Sequence, residues 1–177
     1  MNSARYGLPA ILMHWLQAAL VLGLLWLGMT MVDLPKGAER SAAYGLHKSL
    51  GLCALILVIV RLAWRRRHPA PALLVAGREA VLARAAHRVL YGLLLLVPLA
   101  GYLASSFTQY PMKFFGLELP AIGWPDPALN GAFKLLHKVG GWGLAALIVL
   151  HVAAALRHGL RRDGTLSRMW PGGLSRN

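Results

Sequence analysis

A chain of 177 residues that is 57% hydrophobic and only 14% charged carries too little polar surface for a soluble domain of its size. The formal net charge of +13 and pI near 11.1 invite a nucleic-acid reading, but the arginines flank apolar stretches on one side, which membrane topology and anionic headgroups already explain. The lone Cys53 excludes a disulfide framework, a Cys-pair metal site and a CxxCH motif for covalent haem.

In chain order, the first apolar stretch covers 8–32 and carries His14 and Trp15. It is too long for a cleavable signal, and no small-residue cleavage site precedes a soluble domain, so it is expected to stay as a helix. A second stretch, 42–64, opens with His47 and Lys48 and contains Arg61 within LILVIVRLAW. A basic connection holding His68 and Pro69 leads to a third stretch, 81–107, with His87 and a kink expected at Pro98. A longer connection, 108–131, is rich in Pro, Gly and aromatics; it is expected to form a lid anchored in the interface through Phe114 and Trp124. The fourth stretch, 132–158, carries His137 and His151. Each stretch approaches or exceeds the roughly 20 residues needed to span a bilayer. The expected fold is an all-α integral membrane bundle of four transmembrane helices, one domain over 1–177 without internal repeats.

Charge sets the orientation. Residues 61–88, the tail after His151 and Arg5 together carry thirteen cations and two acids, a net +11, against +2 on the other side. By the bias of Lys and Arg toward the cytoplasm, both termini are predicted cytoplasmic.

His137 and His151 are the most informative pair. Fourteen residues is close to four helical turns, so both imidazoles project from one face, about 21 Å apart along the axis. Ionisable groups in a membrane span are costly unless partnered and are functional candidates by default. Depth then pairs His47 with His137 in the outer half; in the inner half, His151 can pair with either His14 or His87, and spacing does not choose. A single such histidine often only bonds a neighbouring helix. Two donors at each of two depths instead match the axial positions of six-coordinate haem better than a four-ligand zinc site. Gly45, Gly51, Gly140, Gly141 and Gly143 near the outer pair, and Ala153, Ala154 and Ala155 after His151, are expected to let a flat macrocycle or another helix approach.

These residues carry a resemblance. LHKSLGLCALILVIVRLAWRRRHPAP resembles the second helix of the bacterial cytochrome b561 family, and LHKVGGWGLAALIVLHVAAALRHGLRRDGTLSRMWP resembles its fourth. ARYGLPAILMHWLQAALVLGLLWLG and HRVLYGLLLLVPLAGY are similar to the first and third. The resemblance implies a bundle enclosing two noncovalent b-type haems with bis-histidine ligation: His47 and His137 on the outer iron, His14 and His151 on the inner iron. His87 then becomes a supporting residue, bonding a propionate or lining a quinone pocket. Arg61 is a propionate partner if it faces inward.

The implied activity is electron transfer across the bacterial cytoplasmic (inner) membrane, from superoxide outside to ubiquinone. Lys48 and Lys138, each directly after an outer ligand, together with Lys134, would raise the positive potential for an approaching anion. At the inner end His158, Arg157, Arg161 and Trp15 are expected to hold a quinone head, with His158 as proton donor. The alternative is a cytochrome b subunit that serves a partner dehydrogenase or hydrogenase and has no substrate of its own. The other expected partners are membrane lipid and either a second copy or a redox protein, with no nucleic acid; no helix carries a clean GxxxG.

Overall fold

The computed structural model describes residues 5–120 and 122–170; Pro171, the last residue of the fourth resembling segment, and Arg176 of the charge tally lie outside them. Four long helices dominate: α1 (Leu8–Thr30), α2 (Ala38–Arg67), α3 (Gly77–Ser106) and α4 (Pro127–Arg161). Two short antiparallel strands, β1 (Met112–Phe114) and β2 (Leu117–Leu119), interrupt the loop between α3 and α4, pairing Met112 with Leu119 and Phe114 with Leu117. A 3-10 turn, Leu166–Met169, follows α4.

All four helices are long and apolar enough to cross a membrane. The second and fourth pass their expected limits at both ends, and the third starts early, at Gly77, but stops at Ser106, just short of its expected end; charged residues continue α2 at both ends and α3 at its start. Thirty residues rise about 45 Å against a hydrocarbon core of about 30 Å, so the surplus turns stand in the headgroup layer. At the start of α4, Pro127 takes the first position and Asp126 caps it, its carboxylate accepting from the Ala128 and Leu129 N–H groups at 2.9 and 3.0 Å. The third helix runs on through Pro98.

Burial is inverted relative to a soluble bundle. Large apolar side chains such as Val149 (67%), Leu150 (65%) and Trp26 (65%) face outward, where only lipid tails would accept them. Many of the buried positions are small or polar, among them Ala54, Val58, Ala100, Ala104, Ser49 and Gln17, beside a few larger apolar ones such as Ile11 and Leu144. Small side chains allow the close van der Waals packing that must replace the hydrophobic effect inside a bilayer. Close backbone approach joins α3 to α4, α1 to α2 and α2 to α3. The fourth helix scarcely approaches the backbones of the first two, and histidine side chains bridge that separation.

Candidate functional site

The histidines gather at two levels, called outer and inner after the orientation expected from the charge distribution. On the outer level the His47 and His137 rings lie 5.9 Å apart, centre to centre, with planes at 85°. On the inner level His151 lies 6.4 Å from His14 and 5.7 Å from His87, at 63° and 68°. Both pairings left open by spacing are therefore present: His151 stands between α1 and α3.

The outer level shows how neighbouring helices prepare the rings. His137 Nδ1 donates to the Val97 carbonyl of α3 at 2.7 Å, which leaves Nε2 with a lone pair. That approach needs Gly101: a Cβ there would stand 2.9 Å from His137 Nδ1 and 3.0 Å from its Cε1. His47 rests against Gly28 of α1 in the same way, where a Cβ would lie 3.1 Å from its Cε1. The Nδ1 of His47 is buried without a hydrogen-bond partner.

The glycines that matter here differ from those nearest in sequence. Gly45, Gly51, Gly141 and Gly143 face open space, and Gly140 only admits the Val97 side chain. Ala153 and Ala154 are exposed on the outside of the bundle. Gly28 and Gly101 sit on other helices, and no local pattern around the histidines points to them.

At the inner level Arg61 Nη2 lies 3.5 Å from His14 Nδ1, at the outer limit of hydrogen bonding. Its guanidinium, like that of Arg65 one turn later, also sits over the Tyr91 ring, at 5.4 and 5.5 Å. Arg61 thus faces the bundle interior beside His14, and among the described residues no Asp or Glu pairs with it.

A haem fits these residues on three counts. Two imidazoles that bind one metal from opposite sides at about 2 Å each have ring centres about 6 Å apart, the spacing seen at both levels. An edge-to-face ring contact alone has a similar spacing, but here the rings bridge helices whose backbones stand apart. His137 also has the Nδ1–H to carbonyl bond typical of a metal-binding histidine, and Arg61 offers an inward cation to a carboxylate. Among the described residues no three His, Cys, Asp or Glu side chains converge as a structural metal site would require.

Over the outer level the expected lid is a small hairpin pinned to α2. Buried Ser49, two residues after His47, accepts from the Phe115 N–H at 2.9 Å and donates to the Gly45 carbonyl at 2.9 Å. Tyr102 donates to the Pro120 carbonyl, and Trp124 packs edge-on against Phe107 while staying largely exposed. Phe114 packs on Phe115. Half-buried Lys48 lies within electrostatic reach of Lys134, so two of the three expected anion-attracting lysines come together; Lys138 points outward, one turn deeper on α4. Lys113 is engaged by Glu118 across the hairpin.

The inner end is closed by the residues after α4. Arg162 takes a left-handed conformation (φ 53°), Gly164 follows (φ 86°), and the chain turns back on itself. Trp15 donates to the Met169 carbonyl at 2.7 Å and packs edge-on against Trp170; buried Arg168 donates to the Ala72 carbonyl at 2.7 Å. Leu166 fills the space a side chain at Gly159 would need. This cap ties α1, the α2–α3 connection and α4 together. The expected inner cluster divides: Arg157 and Arg161 turn to Glu79 of α3, each at 3.6 Å, Trp15 belongs to the cap, and His158 pairs with Asp163.

The hydrogen bond from His158 and a second from the Thr165 N–H hold the Asp163 carboxyl down at about 2. A carboxylate lowered on folding stabilises the folded cap above its ordinary value of 3.8, and that contribution is lost as pH falls through about 2. Tryptophan fluorescence reporting on Trp15 and Trp170 is therefore expected to hold steady from pH 8 to 5 and to change only below about 4. A transition between pH 8 and 5 would contradict this.

The sequence model of the family described as prokaryotic cytochrome b561 matches residues 5–172. The chain belongs to this family. It is 34% identical over 170 residues to "Cytochrome b561 homolog 2" of Escherichia coli, covering 93% of this chain and 90% of that one. It is 26% identical over 170 residues to "Probable superoxide oxidase CybB" of Yersinia pestis, covering 94% and 96%. As a cytochrome of this family with four spans, the protein is a multi-pass, b-type haem-binding electron-transfer protein of the bacterial inner membrane.

Proposed function

We propose that this cytochrome holds two b-type haems, one between His47 and His137 and one between His14 and His151, and oxidises superoxide on the outer side at the expense of ubiquinone, with both termini cytoplasmic. The observation that carries the reading is the pair of histidine levels bridging helices whose backbones stand apart, each with rings about 6 Å apart. Bound there, the two haems would supply one-electron transfer between the membrane faces.

The chain's own residues do the rest. His137 is held by the Val97 carbonyl, which leaves Nε2 available to a metal. Arg61 would hold a propionate in place of its weak contact to His14, and His87, packed against His151, would buttress that ligand. Lys48 and Lys134 draw the superoxide anion toward the outer level, with Lys138 adding to the field. At the inner end His158 gives a proton to the reduced quinone. The balance is two superoxide anions, one quinone and two protons to two dioxygen molecules and one quinol. The name of the Yersinia pestis relative supports superoxide as donor; the +11 against +2 charge asymmetry supports the orientation.

Pyridine haemochrome quantitation of the purified protein, followed by absorbance as superoxide is generated, tests this directly. The expected result is two haems per chain, reduced by superoxide and reoxidised by a quinone analogue. Two haems that ignore superoxide would indicate a subunit serving a partner enzyme, and one haem or none would overturn the ligand assignment. His158→Ala should retain both haems yet slow reoxidation by quinone about a hundredfold, the lower range for loss of a general acid.

A further inference from the structure

The turn that follows α4 is built around one carboxylate. Asp163 lies five residues beyond His158, too far for the same helical face, and reaches it only because Arg162 and Gly164 adopt positive φ and reverse the chain. Its two oxygens have separate tasks. Oδ2 accepts from His158 Nδ1 at 2.5 Å, and Oδ1 accepts from the Thr165 N–H at 2.9 Å. The turn is in turn locked by Leu166 against Gly159, by Ser167 donating to the Gly164 carbonyl at 2.9 Å and by the Arg168 and Trp15 bonds of the cap. A surface ion pair needs no such framework and gains little from one.

Of the nearby charges, Arg157 and Arg161 on α4 share Glu79 of α3, Arg168 of the cap donates to a backbone carbonyl of the α2–α3 connection, and Arg162, whose backbone makes the left-handed turn, is exposed. Asp163 is thus the carboxylate that faces His158. With Nδ1 engaged, the imidazole has one orientation, and Nε2 is the nitrogen left for a ligand. With Nδ1–H held by the carboxylate, the ring form that can donate from Nε2 is the imidazolium, and Asp163 is its counter-ion. The same division of labour, with one ring nitrogen oriented by a carboxylate and the other exchanging the proton, serves acid–base histidines generally.

We propose that Asp163 is the positioning residue of a His158–Asp163 proton-transfer pair, which delivers protons from the inner aqueous phase to a quinone being reduced at the inner end of the bundle. This rests on the quinone reading above. Each quinone takes two electrons, from two superoxide anions, and two protons. His158 gives up the Nε2 proton to a quinone oxygen and is reprotonated from water at the inner surface, and the cycle repeats for the second proton.

The test uses the full-length holoprotein with Asp163→Asn, Asp163→Glu and His158→Ala variants. Histidine 15N labelling should give a hydrogen-bonded Nδ1–H signal with a low-field proton, lost in both Asp163→Asn and His158→Ala. Asp163→Asn should keep haem content and superoxide-driven reduction at wild-type levels while quinone-driven reoxidation falls about tenfold, a fraction of the full general-acid effect. Asp163→Glu should restore most of the rate. If His158→Ala is slow but Asp163→Asn matches wild type in rate, the role of Asp163 is overturned and the quinone reading stands. If His158→Ala itself reoxidises normally, the quinone reading at this end fails, whatever the Nδ1 signal shows.

Discussion

Replacing His137 by Ala should halve the haem content, from two haems per chain to one, and leave the remaining haem reducible by dithionite but no longer by superoxide. The substitution removes one of the two imidazoles that meet at the outer level, and among the described residues no third ring contacts His47 there. The inner level is about four helical turns away on the same helix and shares no ring with the outer one. Haemochrome quantitation reads the result; unchanged haem content would refute the outer pairing. The matching change at His151 should be equally severe at the inner level, because His151 is common to both inner ring contacts.

Gly101→Ala should produce nearly the same loss without touching a ligand. The added Cβ would stand 2.9 Å from His137 Nδ1, so the imidazole must leave the Val97 carbonyl that orients it. Loss of such an orienting partner lowers metal affinity about 10- to 100-fold, enough to strip the outer haem during purification. Gly141→Ala is the control: it lies on α4, four residues from His137 and closer to it in sequence than Gly101, yet a Cβ there meets nothing within 4 Å. It should retain both haems. Equal haem content in the two variants would show that His137 does not depend on the Val97 bond.

Four spans, their order and the depth of each histidine were legible in the chain because they depend on local quantities: apolar length, the flanking arginines and the 3.6-residue repeat that puts His137 and His151 on one face. The separation of His47 from the inner cluster followed from depth alone. Hidden from the sequence was everything that depends on which helix stands beside which. His151 touches both His14 and His87, so depth did not distinguish them. The glycines next to the outer ligands in sequence do not touch the imidazoles, whereas Gly28 and Gly101, distant in the chain, carry the close approaches to them. The hairpin pinned by Ser49 and the cap that brings Asp163 to His158 likewise depend on turns and cross-chain bonds that leave no periodic trace. The sequence by itself determined how many helices cross the membrane and at what heights their donors lie, since a bilayer reads one-dimensional hydrophobicity. Only the tertiary structure decided which donors face each other and what orients them, because a ring's partner is set by the packing of helices around it, and that packing is a property of the whole bundle.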